Sequence, residues 1–468
     1  MANLLHHFAA SVRRHPDRVA IIDGQSRETS FAALQNRAAG LAAAWRDKGI
    51  GPGDRVLMAM PVDADLYASL AALWQLGATA VLPEPAMGLA GLRHAARATK
   101  PVAFCASGYY RALKYLLPEL WSVKLLSFSQ SAADFVGYDP KDTDIALISF
   151  TSGTTGKPKA IARSHGFLMA QHDAIAPLLH SDSPERDLVA FPVFTLINIA
   201  SGQTSILPNW KMSRLDQLDP AQLTDWLTKQ KASRALLPPS LCDKLAKGQS
   251  PKDLHTVFTG GGPVFPDVVA ALTMRVISVY GSTEAEPIAH LGAEDVTAED
   301  KAKMQAGGGL LVGHPVAQIN VRIIGEEIQV AGAHVNAGYL DPKHDAENKV
   351  ADGGVIWHRT GDAGCFDDQG RLWLWGRIGT DIATPNGQLF PFAIEAAARG
   401  WAGVEHSALI ALNDQPVLVV QGDSVHRAEW AAAAQRFGVG QVRPIAKIPM
   451  DARHGSKIDR AKLLKLLG

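Results

Sequence analysis

The chain of 468 residues is predicted to fold as an α/β protein with at least two domains. Short apolar segments alternate with helical patterns in two regions, residues 55–105 and 231–281. Such alternation is typical of parallel sheets whose strands are joined by crossover helices. Residues 310–376 instead carry short strand patterns separated by turns, which predict a distinct and mostly antiparallel part. The length also exceeds the roughly 300 residues at which a single hydrophobic core stops growing.

In the first α/β region, residues 55–105, predicted strands and helices alternate along the chain. The helical pattern of residues 64–76 ends at Gly77, as expected because glycine favours the end of a helix. The second region repeats the alternation, and the third region offers short strands bounded by turns. Strands are predicted at residues 55–60, 79–82, 102–105, 145–150, 235–237, 256–258, 276–280, 320–324, 327–330 and 371–375, and helices at 64–76, 92–99 and 461–467.

Composition limits the classes of function that the chain can serve. It has 46 basic and 46 acidic residues, so no overall electrostatic field attracts nucleic acid or an anionic membrane. Cys105, Cys242 and Cys365 are too few and too scattered for a disulfide framework or a cysteine-based zinc site. No apolar run approaches the ~20 residues needed to span a bilayer. We therefore expect a cytoplasmic protein without an integral membrane segment and without a nucleic-acid partner; the oligomeric state is not predicted.

Residues 150–159, which read FTSGTTGKPK, have the composition of a phosphate-binding loop. Glycines allow consecutive amides to point at one anion, and cations add charge-assisted contacts. The spacing does not match a Walker A loop, because Pro158 stands where Ser or Thr is required, and the dinucleotide-binding pattern is also absent. A solvated linker remains the structural alternative. The candidate ligands are Thr151, Ser152, Gly153, Thr154, Thr155, Gly156, Lys157 and Lys159.

This loop resembles the phosphate loop of the adenylate-forming superfamily, which includes acyl-CoA synthetases, luciferases and the adenylation domains of peptide synthetases. Further matching segments follow in the family's order. Residues 280–284 (YGSTE) resemble its adenine and magnesium motif, and 358–362 (HRTGD) its ribose motif. Gly376 and Arg377 resemble the end of its large domain, and residues 455–460 (GSKIDR) its C-terminal lysine loop.

The resemblance implies a two-domain architecture. Residues 1–377 would form a large AMP-binding domain of parallel-sheet α/β subdomains plus a small antiparallel β subdomain. Residues 378–468 would form a small, mobile α+β C-terminal domain that rotates about a hinge after Arg377.

The resemblance also implies a reaction in which ATP and Mg²⁺ activate a carboxylic acid. The carboxylate attacks the α-phosphorus, pyrophosphate leaves, and the acyl adenylate passes to a thiol of CoA, as cosubstrate, or of an acyl carrier protein. Apolar residues between about 190 and 290 favour a fatty or hydroxy-fatty acid. The resemblance implies that the catalytic residues are Lys457, Glu284 and Thr283, and that Glu284 and Thr154 bind the metal ion. Besides the phosphate loop, the implied nucleotide ligands are Gly261, Tyr280, Gly281, Ser282, Asp362 and Arg377. The implied acyl pocket comprises Phe194, Thr195, Leu196 and Gly262.

Each of these positions also has a purely structural interpretation. Tyr280 could be a core aromatic residue, and Glu284 a solvated carboxylate. Asp362 could cap a turn, Lys457 could lie in an exposed tail, and Gly260 to Gly262 could form a tight turn.

The chain departs from the usual acyl-CoA synthetase pattern at positions that would take part in the second step, the transfer of the acyl group to a thiol. Gly379 and Ala383 stand where the family usually has a charged hinge residue and a lysine, and Thr195 stands where it usually has histidine. Together with residues 356–359, 370–373 and 389–391, these features resemble the olefin-pathway β-lactone synthetases, in which a β-hydroxyl of the substrate attacks the activated carboxyl. Three hypotheses remain open: an acid–thiol ligase, a β-lactone synthetase, and a non-catalytic nucleotide-binding regulatory protein.

Overall fold

The computed structural model describes residues 3–83, 87–129, 137–151, 158–385, 387–451 and 455–467. Its strands in chain order are β1 (Val19–Ile22), β2 (Glu28–Ser30), β3 (Arg55–Ala59), β4 (Thr79–Leu82), β5 (Ala103–Ala106), β6 (Lys124–Leu126), β7 (Ile145–Phe150), β8 (Ala160–Ser164), β9 (Arg186–Val189), β10 (Thr204–Ile206), β11 (Arg234–Leu237), β12 (Thr256–Gly260), β13 (Arg275–Ser282), β14 (Ala285–Gly292), β15 (Leu310–Pro315), β16 (Asn320–Ile324), β17 (Glu327–Ala331), β18 (Lys349–Asp352), β19 (Val355–Phe366), β20 (Leu372–Arg377), β21 (Ile382–Thr384), β22 (Gly387–Leu389), β23 (Val404–Leu412), β24 (Gln415–Gly422) and β25 (Gln441–Pro444). Its helices are α1 (Leu4–Arg14), α2 (Phe31–Arg46), α3 (Ala64–Gln75), α4 (Gly88–Thr99), α5 (Leu113–Leu116), α6 (His165–Ile175), α7 (Pro192–Ser201), α8 (Pro220–Lys229), α9 (Pro239–Lys247), α10 (Pro266–Ala270), α11 (Ala298–Gln305), α12 (Asp345–Asn348), α13 (Pro391–Ala398), α14 (Arg427–Gln435) and α15 (Arg460–Leu467).

The first large sheet has the strand order β6-β5-β3-β4-β7-β8. The first five strands in this order, β6, β5, β3, β4 and β7, pair in parallel with their neighbours. Strand β8 pairs with β7 in the antiparallel direction. Helices α2 and α3 carry their apolar faces onto this sheet, where Trp45, Leu41 and Leu73 are fully buried. The short apolar strands and crossover helices predicted from the sequence are present, so the α/β class is confirmed.

The second sheet joins parallel and antiparallel regions in one hydrogen-bonded array. Strands β1, β10, β9, β11, β12 and β13 pair in parallel, and β14 then pairs antiparallel with both β13 and β15. Beyond β15 follow β20, β19, β17 and β16, all antiparallel. The antiparallel strands predicted for residues 310–376 are therefore present, but they continue the parallel sheet instead of forming a sheet of their own. The pairing of β14 with β15 thus brings β13, β19 and β20 into one sheet.

The C-terminal residues build a separate core around the sheet β23-β24-β25. Trp430, Leu418 and Val420 are buried in it. Strand β20 ends at Arg377, the residue after which the sequence predicts a hinge; the hinge and the mobility of the C-terminal part stay predictions. In the described residues, no helix combines the length and the apolar character needed to cross a membrane.

A buried ion pair fixes α11 against the start of β20. Both guanidinium Nη atoms of Arg371 donate to the carboxylate of Asp300, at 2.9 and 2.7 Å, and Nε donates to Asp367 at 2.8 Å. The three side chains are at most 11% exposed. The hydrogen bonds from Arg371 lower the pKa of Asp300 to about 2. A carboxyl group with a lowered pKa stabilises the fold above its unfolded pKa of about 4, and this stabilisation is lost as the pH falls toward 2.

We expect Arg371→Met to lower the free energy of unfolding by about 3 kcal/mol, because it leaves two carboxylates without their buried partner. Equilibrium unfolding in urea measures the change. The matched control is Arg275→Met, whose partner Glu294 lies on the surface; its effect should stay below about 1 kcal/mol. Equal effects of the two substitutions would contradict the structural role assigned to Arg371.

Candidate active site

The predicted phosphate loop connects β7 to β8. Its two ends are held together, since the amide of Thr151 donates to the carbonyl oxygen of Lys159 at 3.0 Å. Thr151 is buried, and Lys159 donates through Nζ to Asn348 Oδ1 at 3.2 Å. The predicted ligands Ser152, Gly153, Thr154, Thr155, Gly156 and Lys157 lie outside the described residues.

The predicted adenine and magnesium motif lies at the carboxyl end of β13. Tyr280, Gly281 and Ser282 are the last three residues of that strand, and Gly261 follows the end of the adjacent parallel strand β12. Gly261 has a φ of +79°, which L-residues with a side chain rarely adopt. The carboxyl ends of neighbouring parallel strands are the usual place for a ligand in an open α/β sheet.

The carboxylate of Asp362 joins β13 to β19 and β20. It accepts a hydrogen bond from the Tyr280 hydroxyl at 2.7 Å and one from Arg377 Nη1 at 2.8 Å. Arg377 also donates to the carbonyl oxygen of Thr360, and residues 362 and 377 are direct partners in the β19–β20 register. The carboxylate is thus oriented by two side chains. Burial, followed by the negative charge of Asp362, raises the pKa of Tyr280, so the phenol keeps its proton.

A second polar cluster surrounds Glu284, which with Thr283 forms the turn between β13 and β14. Glu284 Oε1 accepts from the Tyr339 hydroxyl at 3.0 Å, and the Glu284 carbonyl oxygen accepts from the amide of Asn336 at 2.7 Å. The carbonyl oxygen of Thr283 accepts from Arg163 Nη2 at 2.7 Å. Glu284 is therefore a half-buried, hydrogen-bonded carboxylate and not a freely solvated one.

Two ammonium groups lie near the ring of Tyr339, whose hydroxyl binds this carboxylate. Lys349 Nζ is 5.3 Å and Lys159 Nζ 5.5 Å from the centre of the Tyr339 ring. Lys349 also donates to the carbonyl oxygen of Asn336. Burial lowers the pKa of Lys349 to about 8, although the negative charge of Glu284 raises it. Burial also lowers the pKa of the neighbouring His358 to about 4.

Sequence reasoning missed Lys349 and Tyr339. Neither residue belongs to a motif, and both lie far along the chain from Glu284. The available signal was modest: Lys349 begins a short strand next to the predicted ribose motif. Its Cα partner across β18 and β19 is His358, which the motif does contain.

A small, partly open apolar pocket lies next to the predicted nucleotide motifs. Gly260 and Val279 line it, and each immediately precedes a predicted nucleotide ligand, Gly261 and Tyr280 respectively. The remaining walls come from α6, α7 and the neighbouring strands: Ile175, Leu178, Leu179, Phe191, Phe194, Leu236, Phe258, Thr259, Glu286 and Pro287.

Of the four predicted acyl-pocket residues, Phe194 lines this cavity. Thr195 is fully buried on another side of α7, near Tyr67, whose hydroxyl donates to the carbonyl oxygen of Pro192 at 3.0 Å. Leu196 lines a separate small cavity among α1, α2 and α3. Gly262 lies against the C-terminal loop. The structure therefore does not bring these four residues together.

The C-terminal lysine loop is docked beside Gly262. The amide of Ser240 donates to Ser456 Oγ at 3.2 Å, and a Cβ atom at position 262 would lie 2.6 Å from Ser456 Cβ. Asp451 shapes the loop by accepting from the amides of Ser456 and Lys457. The backbone of Lys457 is thereby held near the carboxyl end of β12, although its side chain is exposed.

The donor set fits Mg²⁺ held together with nucleotide phosphates. Among the described residues, no group of three or more His, Cys, Asp or Glu side chains could hold a metal alone. Mg²⁺ commonly binds through one or two carboxylates plus substrate phosphates, and Glu284 is such a carboxylate. Beside it, Ser282 Oγ is buried and has no hydrogen-bond partner within the described part of the chain. A buried orphan hydroxyl at this position is consistent with a missing ligand.

Comparison with known proteins agrees with the geometry. The sequence model of the family described as AMP-binding enzyme matches residues 8–340. The olefin beta-lactone synthetases of Stenotrophomonas maltophilia (strain K279a) and Xanthomonas campestris pv. campestris are 29% and 28% identical to this chain, covering 98% and 99% of it and 97% of each relative. A feruloyl-CoA synthase of Amycolatopsis sp. is 26% identical over 97% of this chain and 90% of the relative.

The fold is shared with a solved adenylate-forming enzyme. The amide bond synthetase McbA of Marinactinospora thermotolerans superposes with a TM-score of 0.83 at 22% identity, covering 99% of both chains. The family match spans well over half of the sequence. The chain therefore belongs to the family of AMP-binding enzymes, the adenylate-forming ligases.

Proposed function

We propose that this ligase converts a β-hydroxy carboxylic acid and ATP into a β-lactone, AMP and pyrophosphate. The observation that carries the proposal is the similarity to two olefin beta-lactone synthetases over nearly the whole length of both partners in each alignment. Transfer to CoA, which the sequence resemblance put first, is the second candidate, and the similarity to a feruloyl-CoA synthase favours it.

The first step of the proposed reaction needs no nucleophile from the protein. An oxygen of the substrate carboxylate attacks the α-phosphorus, the bond to the bridging oxygen of the β-phosphate breaks, and pyrophosphate leaves. The protein has to align the groups and offset their negative charge. We assign Asp362 to the ribose hydroxyls, with Tyr280 and Arg377 holding the carboxylate in position.

The polyphosphate would lie between the loop of residues 151–159 and the Glu284 cluster. Glu284, with Thr154, would hold Mg²⁺, which supplies positive charge against the phosphate oxygens when it is bound. Lys159 and Lys349 add two ammonium groups near that carboxylate. Such charge-assisted contacts are stronger than neutral hydrogen bonds.

Lys457 would act at the reacting end of the site. Its loop is docked against Gly262, at the carboxyl end of the strand that also leads to Gly261. We assign its ammonium group to the negative charge that develops as the carboxylate and the α-phosphate react. An exposed tail lysine would not require a loop fixed by Asp451 and Ser240.

In the second step the β-hydroxyl oxygen of the bound substrate attacks the activated carbonyl carbon. A C–O bond closes the four-membered ring, the bond from that carbon to the AMP oxygen breaks, and the hydroxyl proton is released. The nucleophile is already tethered to the carbonyl, so no second substrate has to be positioned. The alkyl chain would occupy the apolar cavity that Phe194 lines.

We expect pyrophosphate release and β-lactone formation from ATP and a long-chain β-hydroxy acid, unchanged when CoA is omitted. Phosphate-coupled detection follows pyrophosphate, and mass spectrometry identifies the lactone. A product that forms only with CoA would favour the thioester reaction. Absence of carboxylate-dependent ATP–pyrophosphate exchange over a broad panel of acids would favour a regulatory protein.

We expect Lys457→Ala to slow acid-dependent pyrophosphate release by about 100-fold, as for loss of one group that stabilises transition-state charge. ATP affinity should change little, because the loop of residues 151–159 and Asp362 remain. Single-turnover kinetics and calorimetric titration with ATP measure the two quantities. Lys465→Ala, in the exposed last turn of α15, is the matched control. Full-rate adenylation by Lys457→Ala would refute the assigned role.

We expect Lys349→Met to weaken ATP binding by about tenfold while AMP binding stays within about twofold, because the residue is assigned to the terminal phosphates. Calorimetric titration with each nucleotide makes the comparison within one variant. Lys343→Met removes an exposed cation from the same part of the chain and is the control. Equal weakening of ATP and AMP binding would indicate a structural role for Lys349 instead.

A further inference from the structure

One short surface segment carries most of the highly exposed large apolar side chains. In residues 108–121, here called the outer segment, Tyr109 is 77% exposed, Tyr115 71%, Leu116 68% and Trp121 65%. In the rest of the described chain, only Val425, at 75%, reaches this level among large apolar residues. Single exposed apolar residues need no explanation, but four within thirteen positions form a patch.

The outer segment is firmly attached to the protein underneath. Leu117 and Leu120 are buried in the core beneath α4 and β5, and Tyr110 and Leu113 pack against the same core. Trp121 Nε1 donates to the carbonyl oxygen of Tyr115 at 3.1 Å. The inner side of the outer segment is therefore fixed by packing against the core, and the exposed aromatic side chains point outward in a fixed arrangement.

The surroundings of the outer segment are strongly basic. Residues 87–126 contain six basic residues and one acidic residue, a formal charge of +5, although the whole chain has a net charge of 0. The single acidic residue, Glu119, is paired with Arg93 and Arg97. Its charge is therefore already offset within the protein. The remaining basic residues of this region are Lys100, Arg111, Lys114 and Lys124.

We infer that the outer segment docks on the surface of an anionic phospholipid bilayer. Tyr and Trp rings favour the headgroup level of a membrane, and Leu116 would enter the boundary of the acyl chains. Lys100 and Arg111 would lie near the lipid phosphates, whose charge they complement. A protein partner fits less well, because lysine is depleted at protein–protein interfaces and three of the seven charged residues here are lysines.

The test is co-sedimentation of the full chain with vesicles of phosphatidylcholine alone or of phosphatidylcholine with about 30% phosphatidylglycerol, a proportion chosen to give a surface potential like that of an anionic leaflet. We expect binding to the anionic vesicles, weakened by salt because exposed charges are screened. The triple variant Tyr109→Ser, Tyr115→Ser, Leu116→Ser and the double variant Lys100→Glu, Arg111→Glu should each bind at least about tenfold more weakly.

A matched control tests whether vesicle binding depends on the outer segment or on exposed apolar side chains in general. Val425→Ser with Leu466→Ser removes two exposed apolar side chains elsewhere on the protein and should leave vesicle binding unchanged. All variants should keep the wild-type circular dichroism spectrum and ATP binding, so that a loss of binding cannot be ascribed to unfolding. The inference does not depend on the proposed reaction.

Two results would overturn the inference. One is wild-type protein that does not bind anionic vesicles, or a triple variant that binds them as well as the wild type does. The other is self-association of the wild type in light scattering that the triple variant loses while vesicle binding is absent. The outer segment would then be an interface between copies of the chain.

Discussion

The carboxylate of Asp362 is bound simultaneously by Tyr280 on β13 and by Arg377 at the end of β20. These three residues come from distant parts of the chain and meet only because β14 and β15 join the parallel and antiparallel regions into one sheet. A carboxylate assigned to the ribose hydroxyls needs fixed lone-pair directions, and two donors from different strands supply them. The sheet junction is therefore the constraint on which the nucleotide site depends.

The charges around Glu284 bear on the proposed binding of a polyphosphate. Lys349 is half-buried near Lys159. Burial is the main cause of its lowered pKa, and the positive charge of Lys159 adds a smaller cost. Glu284 and the Tyr339 ring offset part of that cost. In the proposed reaction, a bound triphosphate would add further negative charge beside these two ammonium groups.

Local sequence patterns predicted much of the fold. The strand at residues 79–82 and the helix beginning at residue 64 have these bounds in the structure, because apolar periodicity and turn residues act over short distances. The predicted strand that ends at Tyr280 is also present as part of β13, whereas Glu284 lies in the turn after it and Asp362 lies within β19. The pairing of β14 with β15 and the position of Lys349 depend on contacts between distant residues, which no local pattern encodes.

The acyl pocket shows the limit of reasoning from neighbours in sequence. Phe194, Thr195 and Leu196 are consecutive, but they lie on helix α7, where successive side chains point about 100° apart. Phe194 faces the cavity, whereas the next two side chains face Tyr67 and helix α1. Most residues of the actual cavity wall come from five other elements, so only the three-dimensional arrangement identifies them.

The contact between Gly262 and Ser456 leaves no room for even one methyl group. With the lysine loop seated there, an external acceptor could reach the activated carbonyl only along another path or after the loop withdraws. A hydroxyl that enters as part of the substrate meets no such obstacle. With the proposed internal acceptor, both bond-forming events could take place while the lysine loop stays in contact with Gly262.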